Sequence, residues 1–415
     1  MKKPKKNYWE ERSRMSNIPK LRFPEFSGEW EEKRIDSLSL INPKPGDLPE
    51  VFSYIDLESV KNGVLLQEKI IKKEEAPSRA QRLLEEKDIL FQTVRPYQRN
   101  NYFFNSKSPT VASTGYAQFR VNKNNYPSFL YQYLYTNNFV KNVLDRCSGT
   151  SFPAISTNDL LEICLHIPSL AEQQKIADFL SNVDSIIKAE TKILNTLQKK
   201  KKALMQKLFT QQLRFKSDDG KDFPAWEEKC IDEIAECIAG ATPDTKKNEY
   251  WENGTIPWMS SGEVNKKYVY ETDRTITQLG YKKCSTKMIP VNTVVIALAG
   301  QGKTRGTVAL TKIELCTNQS LCAIINKSEY NSEYLFHYLS SQYQELRKIS
   351  SGGDASRGGL NLKLVGSYRV PLPCKAEQQK IADCLSSMDS LIQTQQKVVT
   401  TWQQRKKALL QQMFV

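Results

Sequence analysis

Glu172–Phe209, EQQKIADFLSNVDSIIKAETKILNTLQKKKKALMQKLF, is written a second time at Glu377–Phe414 as EQQKIADCLSSMDSLIQTQQKVVTTWQQRKKALLQQMF, with about half of the positions identical and no gap. The copies start 205 residues apart, far beyond the period of a solenoid repeat, so the chain reads as a duplicated half-protein. In the first copy Ile176, Leu180, Val183, Ile187, Leu194, Leu197, Leu204 and Leu208 fall on a heptad seam. Ile381, Leu385, Met388, Ile392, Val399, Trp402, Leu409 and Met413 repeat it. Neither copy contains Gly or Pro, acidic and amide residues lead and basic ones trail, so each predicts a helix of about 57 Å.

Each seam is interrupted twice, at Glu190 and Lys201 and at Gln395 and Lys406. A parallel pairing in register sets Lys201 against Lys406, which like charges oppose. An antiparallel pairing sets Glu190 against Lys406 and Lys201 against Gln395, with Ile187 meeting Leu409 and Leu194 meeting Trp402. The expectation is therefore an intramolecular antiparallel coiled coil whose register is set by polar layers. Two separate amphipathic helices, each packed on its own domain, would show the same periodicity.

A 415-residue chain has length for two or three domains. Its charged and hydrophobic fractions, 26% and 39%, are those of a globular protein. A net charge of +14 points to an acidic partner, nucleic acid first, although no single run carries the excess. Nine scattered cysteines without a Cys-x-x-Cys pair, and only two histidines, argue against a zinc site and for reduced thiols. No apolar run approaches the roughly 20 residues of a membrane span, so a cytoplasmic protein without membrane partners is expected.

Residues 1–33 form a basic lead-in ending in a signature, LRFPEFSGEWEEKRID, that returns as LRFKSDDGKDFPAWEEKCID before a second domain. The expected organisation is a first variable domain at 34–167, a central repeat at 168–229, a second variable domain at 230–373 and a C-terminal repeat at 374–415. Strand-rich blocks followed by helices make each domain mixed α/β, of the α+β kind. A helical turn is expected from Ala76. Phe129–Leu134 and Tyr334–Leu339, again 205 apart, predict equivalent helices, so the duplication extends into the variable domains.

Catalytic patterns fail. Ala297–Thr304 resembles a phosphate-binding loop, but Ala297 stands where its first glycine belongs and the following residues read as strand rather than helix. No Gly-x-Ser-x-Gly, Asn-Pro-Pro-aromatic loop or metal-nuclease core is present. Residues suited to touching DNA are plentiful: Arg79, Arg82, Thr93, Arg95, Arg99 and Asn100, then Ser113, Thr114 and Tyr116 in a polar turn. The second domain offers Lys303, Thr304 and Arg305 in a glycine-rich turn, and Asn318 and Gln319 in the counterpart of the first polar turn. A solvated, turn-rich surface has the same composition.

Taken together, the Ala-Glu-Gln-Gln-Lys-Ile-Ala-Asp helix starts at Ala171 and Ala376, the Ile-Pro-Ser-Leu and Val-Pro-Leu-Pro stretches before them and the two Trp-Glu-Glu-Lys signatures resemble the specificity subunit of a type I restriction-modification system. Ala-Pro-Ser-Arg-Ala from Ala76, Thr-Val-Arg-Pro from Thr93 and Thr-Asn-Gln from Thr317 resemble its target-recognition domains. The resemblance implies a non-catalytic subunit whose two target-recognition domains each read half of a bipartite site in double-stranded DNA, with the helices fixing the spacer. It also implies two modification subunits using S-adenosylmethionine to methylate adenine, and two restriction subunits using ATP and Mg, with no cofactor bound by this chain. A stand-alone bipartite DNA-binding regulator, or a scaffold without a nucleic-acid role, would be the alternatives.

Overall fold

The repeated lead-in folds identically in both halves. Glu31–Arg34 pairs antiparallel with Cys164–Ile167, and Glu227–Cys230 with Arg369–Leu372, so each lead-in is zipped to the strand that precedes a long helix. The computed structural model describes residues 17–44, 46–300, 302, 304–327, 330–349 and 359–415. They divide into two units, one running to Thr191 together with Lys397–Val415, the other Lys192–Gln396. The stretch 352–359, which its glycines predict to be a loop, lies outside the described residues except for Gly359.

What the repeat encodes is a buried clamp at each helix start. In the first unit Arg22 forks onto both carboxylate oxygens of Glu172 at 2.8 Å, and the indole Nε1 of Trp30 donates to the same carboxylate at 3.3 Å. In the second, Arg214 forks onto Glu377 at 3.0 and 2.7 Å, with Trp226 donating at 2.9 Å. Both carboxylates are buried, so three charge-assisted donors replace the water each has lost. The next residue extends the clamp. Gln173 accepts from Tyr126 N and donates to Pro168 O, as Gln378 accepts from Asn331 N and donates to Pro373 O.

Each domain carries two main sheets. In the first, Ser39–Ile41, Tyr116–Val121, Ile89–Gln92 and Tyr102–Phe103 lie side by side and antiparallel. Lys69–Lys72, Val51–Ile55, Thr110–Ser113 and Ala80–Leu83 form the other, with one parallel pairing between Val51–Ile55 and Thr110–Ser113. The second domain repeats this order with Ala235–Ala239, Leu321–Asn326, Val294–Ala297 and Val308–Thr311, to which Tyr268–Val269 adds a parallel fifth strand, and with Arg274–Ile276, Ile256–Met259, Leu315–Thr317 and Met288–Ile289. From Val51 onward most equivalent strands keep the 205-residue offset of the helices, which extends the duplication through both domains, while Val308–Thr311 is two residues out of step with Tyr102–Phe103. The helical turn expected from Ala76 is corrected: a 3-10 turn at Lys73–Glu75 precedes the strand Ala80–Leu83, whose edge pairing with Thr110–Ser113 overrides local preference.

The long helices are Leu170–Phe209 and Lys375–Met413. In the first unit Ile176 and Leu180 share a core with Leu410, Met413 and Phe414, while Asp184 meets Lys406, so the two segments run antiparallel. In the second unit Ile381 and Leu385 share a core with Leu208, Asp389 meets Lys201, and the segments are again antiparallel. Each helix end also completes an aromatic cluster. Phe414 packs on Trp30, Phe129 and Tyr133, and Phe209 on Tyr334 and Tyr338.

The orientation is as the seam predicts, but the polar partners are corrected. Lys406 pairs with Asp184 at 2.7 Å rather than with Glu190, and Lys201 pairs with Asp389 at 2.5 Å rather than with Gln395. Both aspartates flank the seam, next to Val183 and Met388, where an alignment of seam positions alone passes over them. For half-buried Lys201 a full negative charge is a better match than the carboxamide of Gln395, and for Lys406 the packing that puts Leu180 and Leu410 in one core brings Asp184, not Glu190, within reach. Ile187 and Leu409 are half-buried members of the first unit, whereas Leu194 and Trp402 belong to different units.

The domain supplies a further donor to each aspartate. Gln132 Nε2 donates to Asp184 at 2.8 Å; its equivalent, His337, lies with Nδ1 3.8 Å from Asp389, which also accepts from Tyr268 at 3.0 Å. Burial and nearby Lys201 depress the His337 pKa from 6.5 to about 3, so the ring is neutral at ordinary pH. The unfolded chain takes up a proton below pH 6.5 while the folded chain does so only near 3, and stability is lost as pH falls through that window. His337→Gln, which copies Gln132, is expected to remove this loss, on the order of 1–2 kcal/mol at pH 5 relative to pH 7.5. Urea melts of both proteins at the two pH values check it.

Candidate nucleic-acid interface

In the first unit one turn gathers most of the sequence-predicted residues. Ser113, Thr114 and Gly115 join Thr110–Ser113 to Tyr116–Val121. Thr114 N donates to Arg79 O at 2.9 Å on one side, and Thr93 donates to Gly115 O through N at 3.1 Å and Oγ1 at 2.8 Å on the other. The turn thus sits between the strand carrying Arg79 and Arg82 and the loop carrying Arg95. A third segment joins them, because Arg95 N donates to Pro153 O and Ile155 N to Thr93 O. The Arg95 guanidinium stacks 4.2 Å from the ring centroid of Phe152. Phe152 was not singled out from sequence, though an exposed aromatic in a Gly-Thr-Ser-Phe-Pro loop was the signal for it.

Several predicted contacts are spent inside the fold. Tyr116 is fully buried, its hydroxyl donating to Asp56 O and pushed well above its ordinary pKa by burial, so it is corrected from a DNA contact to a core residue. Ser113 and Thr93 are also buried, and both use their hydroxyls on Gly115 to shape the turn. Arg99 donates to Tyr135 O and Asn137 Oδ1, and Asn100 Oδ1 accepts from Asn62 N, so both hold loops. Exposed Arg79, half-buried Thr114, and Arg82 and Arg95 remain on the outward side.

The arginines differ in how they are satisfied. Arg120 is fully engaged by Asp88 and Glu85, and Arg22 by Glu172. The Nε atoms of Arg82 and Arg95 are buried with no acceptor among the described residues, and burial lowers the Arg82 pKa. Arg95 also holds a left-handed backbone, φ +54°, uncommon for a side chain larger than asparagine.

The second unit repeats the frame with other side chains. Leu298 N donates to Ser320 O as Thr93 N does to Gly115 O. The loop from Ala297 to Gly306 corresponds to that from Gln92 to Asn101 and closes as a hairpin, with Gly306 N on Ala297 O and Val308–Thr311 following as strand. A phosphate-binding loop would lead into a helix, so the strand that follows argues, as the sequence does, against phosphate binding at this loop. Thr304 and Arg305 are half-buried in this loop; Lys303 lies outside the described residues. In the facing turn Asn318 Oδ1 accepts from Ser320 N, and exposed Gln319 accepts from Thr242 at 2.6 Å. Gly240 is required beside it, since a Cβ would fall 1.9 Å from Thr317 O. A cluster missed from sequence lies in the same unit: the Arg274 guanidinium stands 3.7 Å over Trp251, which packs edge-on against Trp258.

The sequence profile described as type I restriction modification DNA specificity domain matches twice, over residues 28–199 and 225–401. The MjaIX specificity subunit of Methanocaldococcus jannaschii is 37% identical over 196 residues, 46% of this chain and 44% of that protein. The EcoR124I/EcoR124II specificity subunit of Escherichia coli is 28% identical, and the match covers 53% of it; the chain thus spans about half the length of these two relatives. The HindI specificity subunit of Haemophilus influenzae is 24% identical over 78% of this chain and 84% of its own. Among solved structures, the type I restriction-modification S subunit from M. genitalium shares the fold with a TM-score of 0.60, at 16% identity, covering 96% of this chain and 99% of that one. With both matches of the profile coinciding with the two lead-in, domain and helix repeats, the chain belongs to the type I restriction-modification DNA specificity family.

Proposed function

We propose that this chain is the DNA-specificity subunit of a type I restriction-modification complex, each recognition domain reading one half of a bipartite site in double-stranded DNA and the long helices setting the unread spacer. The observation that carries the reading is the duplicated loop-and-turn face, built on one register in both units but furnished with different polar side chains. A shared frame with divergent contacts is what two half-sites of different sequence require. The charge of +14 supplies the non-specific attraction to phosphate. The chain itself catalyses nothing and works in the cytoplasm. Two modification subunits carry S-adenosylmethionine, and two restriction subunits carry ATP and Mg.

The helices offer a place for the modification subunits. Phe179 and Ile186 in the first unit, and Cys384 and Leu391 at the equivalent positions of the second, repeat every seven residues on a face away from the seam; all but half-buried Cys384 are exposed. Such stripes fit partner helices. Ile186→Glu with Leu391→Glu is expected to leave the melting curve of the chain within about 0.5 kcal/mol of wild type and to abolish co-purification with the modification subunit. The function itself is tested by mapping methylated adenines in cells with and without this chain beside its modification subunits. A bipartite motif that appears only with the chain supports the proposal; an unchanged methylation map overturns it.

A further inference from the structure

We infer that the half-site read by the first unit contains guanine, recognised in the major groove by the guanidinium groups of Arg82 and Arg95. The inference rests on the function proposed above and adds which base that unit reads. Both side chains flank the Ser113–Gly115 turn, and both keep a buried Nε without an acceptor among the described residues. A buried donor of this kind has lost its water and gained no replacement, a cost the free protein bears until a partner arrives.

The partner must present acceptors in a plane. The Arg95 guanidinium lies over the Phe152 ring, and its backbone is pinned through Pro153 in the left-handed region. Arg82 is fixed on a strand opposite Ala112. A fork pre-set in this way matches the adjacent O6 and N7 of guanine, whereas a phosphate is served by an exposed cation such as Arg79. The positions equivalent to Arg82 and Arg95 in the second unit are Lys287 and Gly300, so this pair of arginines is not repeated there.

The test uses the chain assembled with its modification subunits. Its methylation motif is mapped, and the half-site of the first unit is assigned by exchanging residues 34–167 for those of another specificity subunit. Arg82→Lys and Arg95→Lys keep the charge and lose the fork. Each is expected to relax one guanine position of that half-site and leave the other half unchanged, which also reports an intact fold. On duplexes carrying 7-deazaguanine at that position, wild-type methylation is expected to fall roughly tenfold or more. Lysine variants that keep the full motif, insensitivity to 7-deazaguanine, or a first half-site without guanine would each overturn the inference while the specificity function stood. Absence of any bipartite motif would instead remove that function.

Discussion

Replacing Arg214 by alanine is expected to destabilise the second unit by about 3–5 kcal/mol, among the largest effects of any single substitution in the chain. The carboxylate of Glu377 is fully buried, and Arg214 supplies two of its three donors. Removing the guanidinium leaves an anion with the Trp226 indole alone, and the cost is that of an uncompensated buried charge rather than the worth of one ion pair. Arg22→Ala does the same to Glu172 in the first unit, where the arginine is even less exposed. Pairing Arg214→Ala with Glu377→Leu removes both charges and is expected to recover most of the loss. Chemical denaturation of the full chain, followed by tryptophan fluorescence, measures all of these. A cost for Arg214→Ala below about 1 kcal/mol would place the pair among screened surface contacts and remove the clamp as the reason for the repeated Arg, Trp and Glu.

The clamp also shows where reading the sequence succeeds and stops. The repeats at Leu21–Phe23, Trp30 and Glu172 were visible as letters, and their recurrence at Leu213–Phe215, Trp226 and Glu377 gave the duplicated architecture. That these letters touch one another was not visible, because 150 residues separate Arg22 from Glu172 and only strand pairing closes the gap. The antiparallel sense of the helices followed from forbidding two lysines to face each other, a constraint that needs no coordinates. Their partners did not follow, since Asp184 and Asp389 stand off the seam and are recruited by Gln132 and Tyr268 from the domains. At the candidate interface, composition marked a turn but not which way its side chains point. Tyr116 and Ser113 are buried and Arg79 is exposed, because the strands Thr110–Ser113 and Tyr116–Val121 lie in the core while Arg79 precedes the strand Ala80–Leu83, which no count of polar residues conveys.

The charged layer between the helices gives the second large effect. Lys201→Met alone, or Asp389→Leu alone, is expected to cost about 3 kcal/mol, while the double substitution lies much nearer wild type, a coupling of roughly 2–3 kcal/mol. Both side chains are nearly buried, and burial lowers the lysine pKa while Asp389 opposes that shift. Without the aspartate the ammonium keeps only the penalty. Its folded pKa then lies further below that of the unfolded chain, so the destabilisation in Asp389→Leu is present at neutral pH and shrinks as pH rises through the folded value. The equivalent pair in the first unit is weaker, because Asp184 is 39% exposed and solvent screens it; its coupling is expected below about 1 kcal/mol. Exchange of charge decides the register. Lys406→Glu sets two carboxylates together, and Asp184→Lys is expected to restore the pair where Glu190→Lys does not, since the ammonium of Lys406 lies 2.7 Å from Asp184. Rescue by Glu190→Lys instead would return the helices to the register that the seam alone predicts.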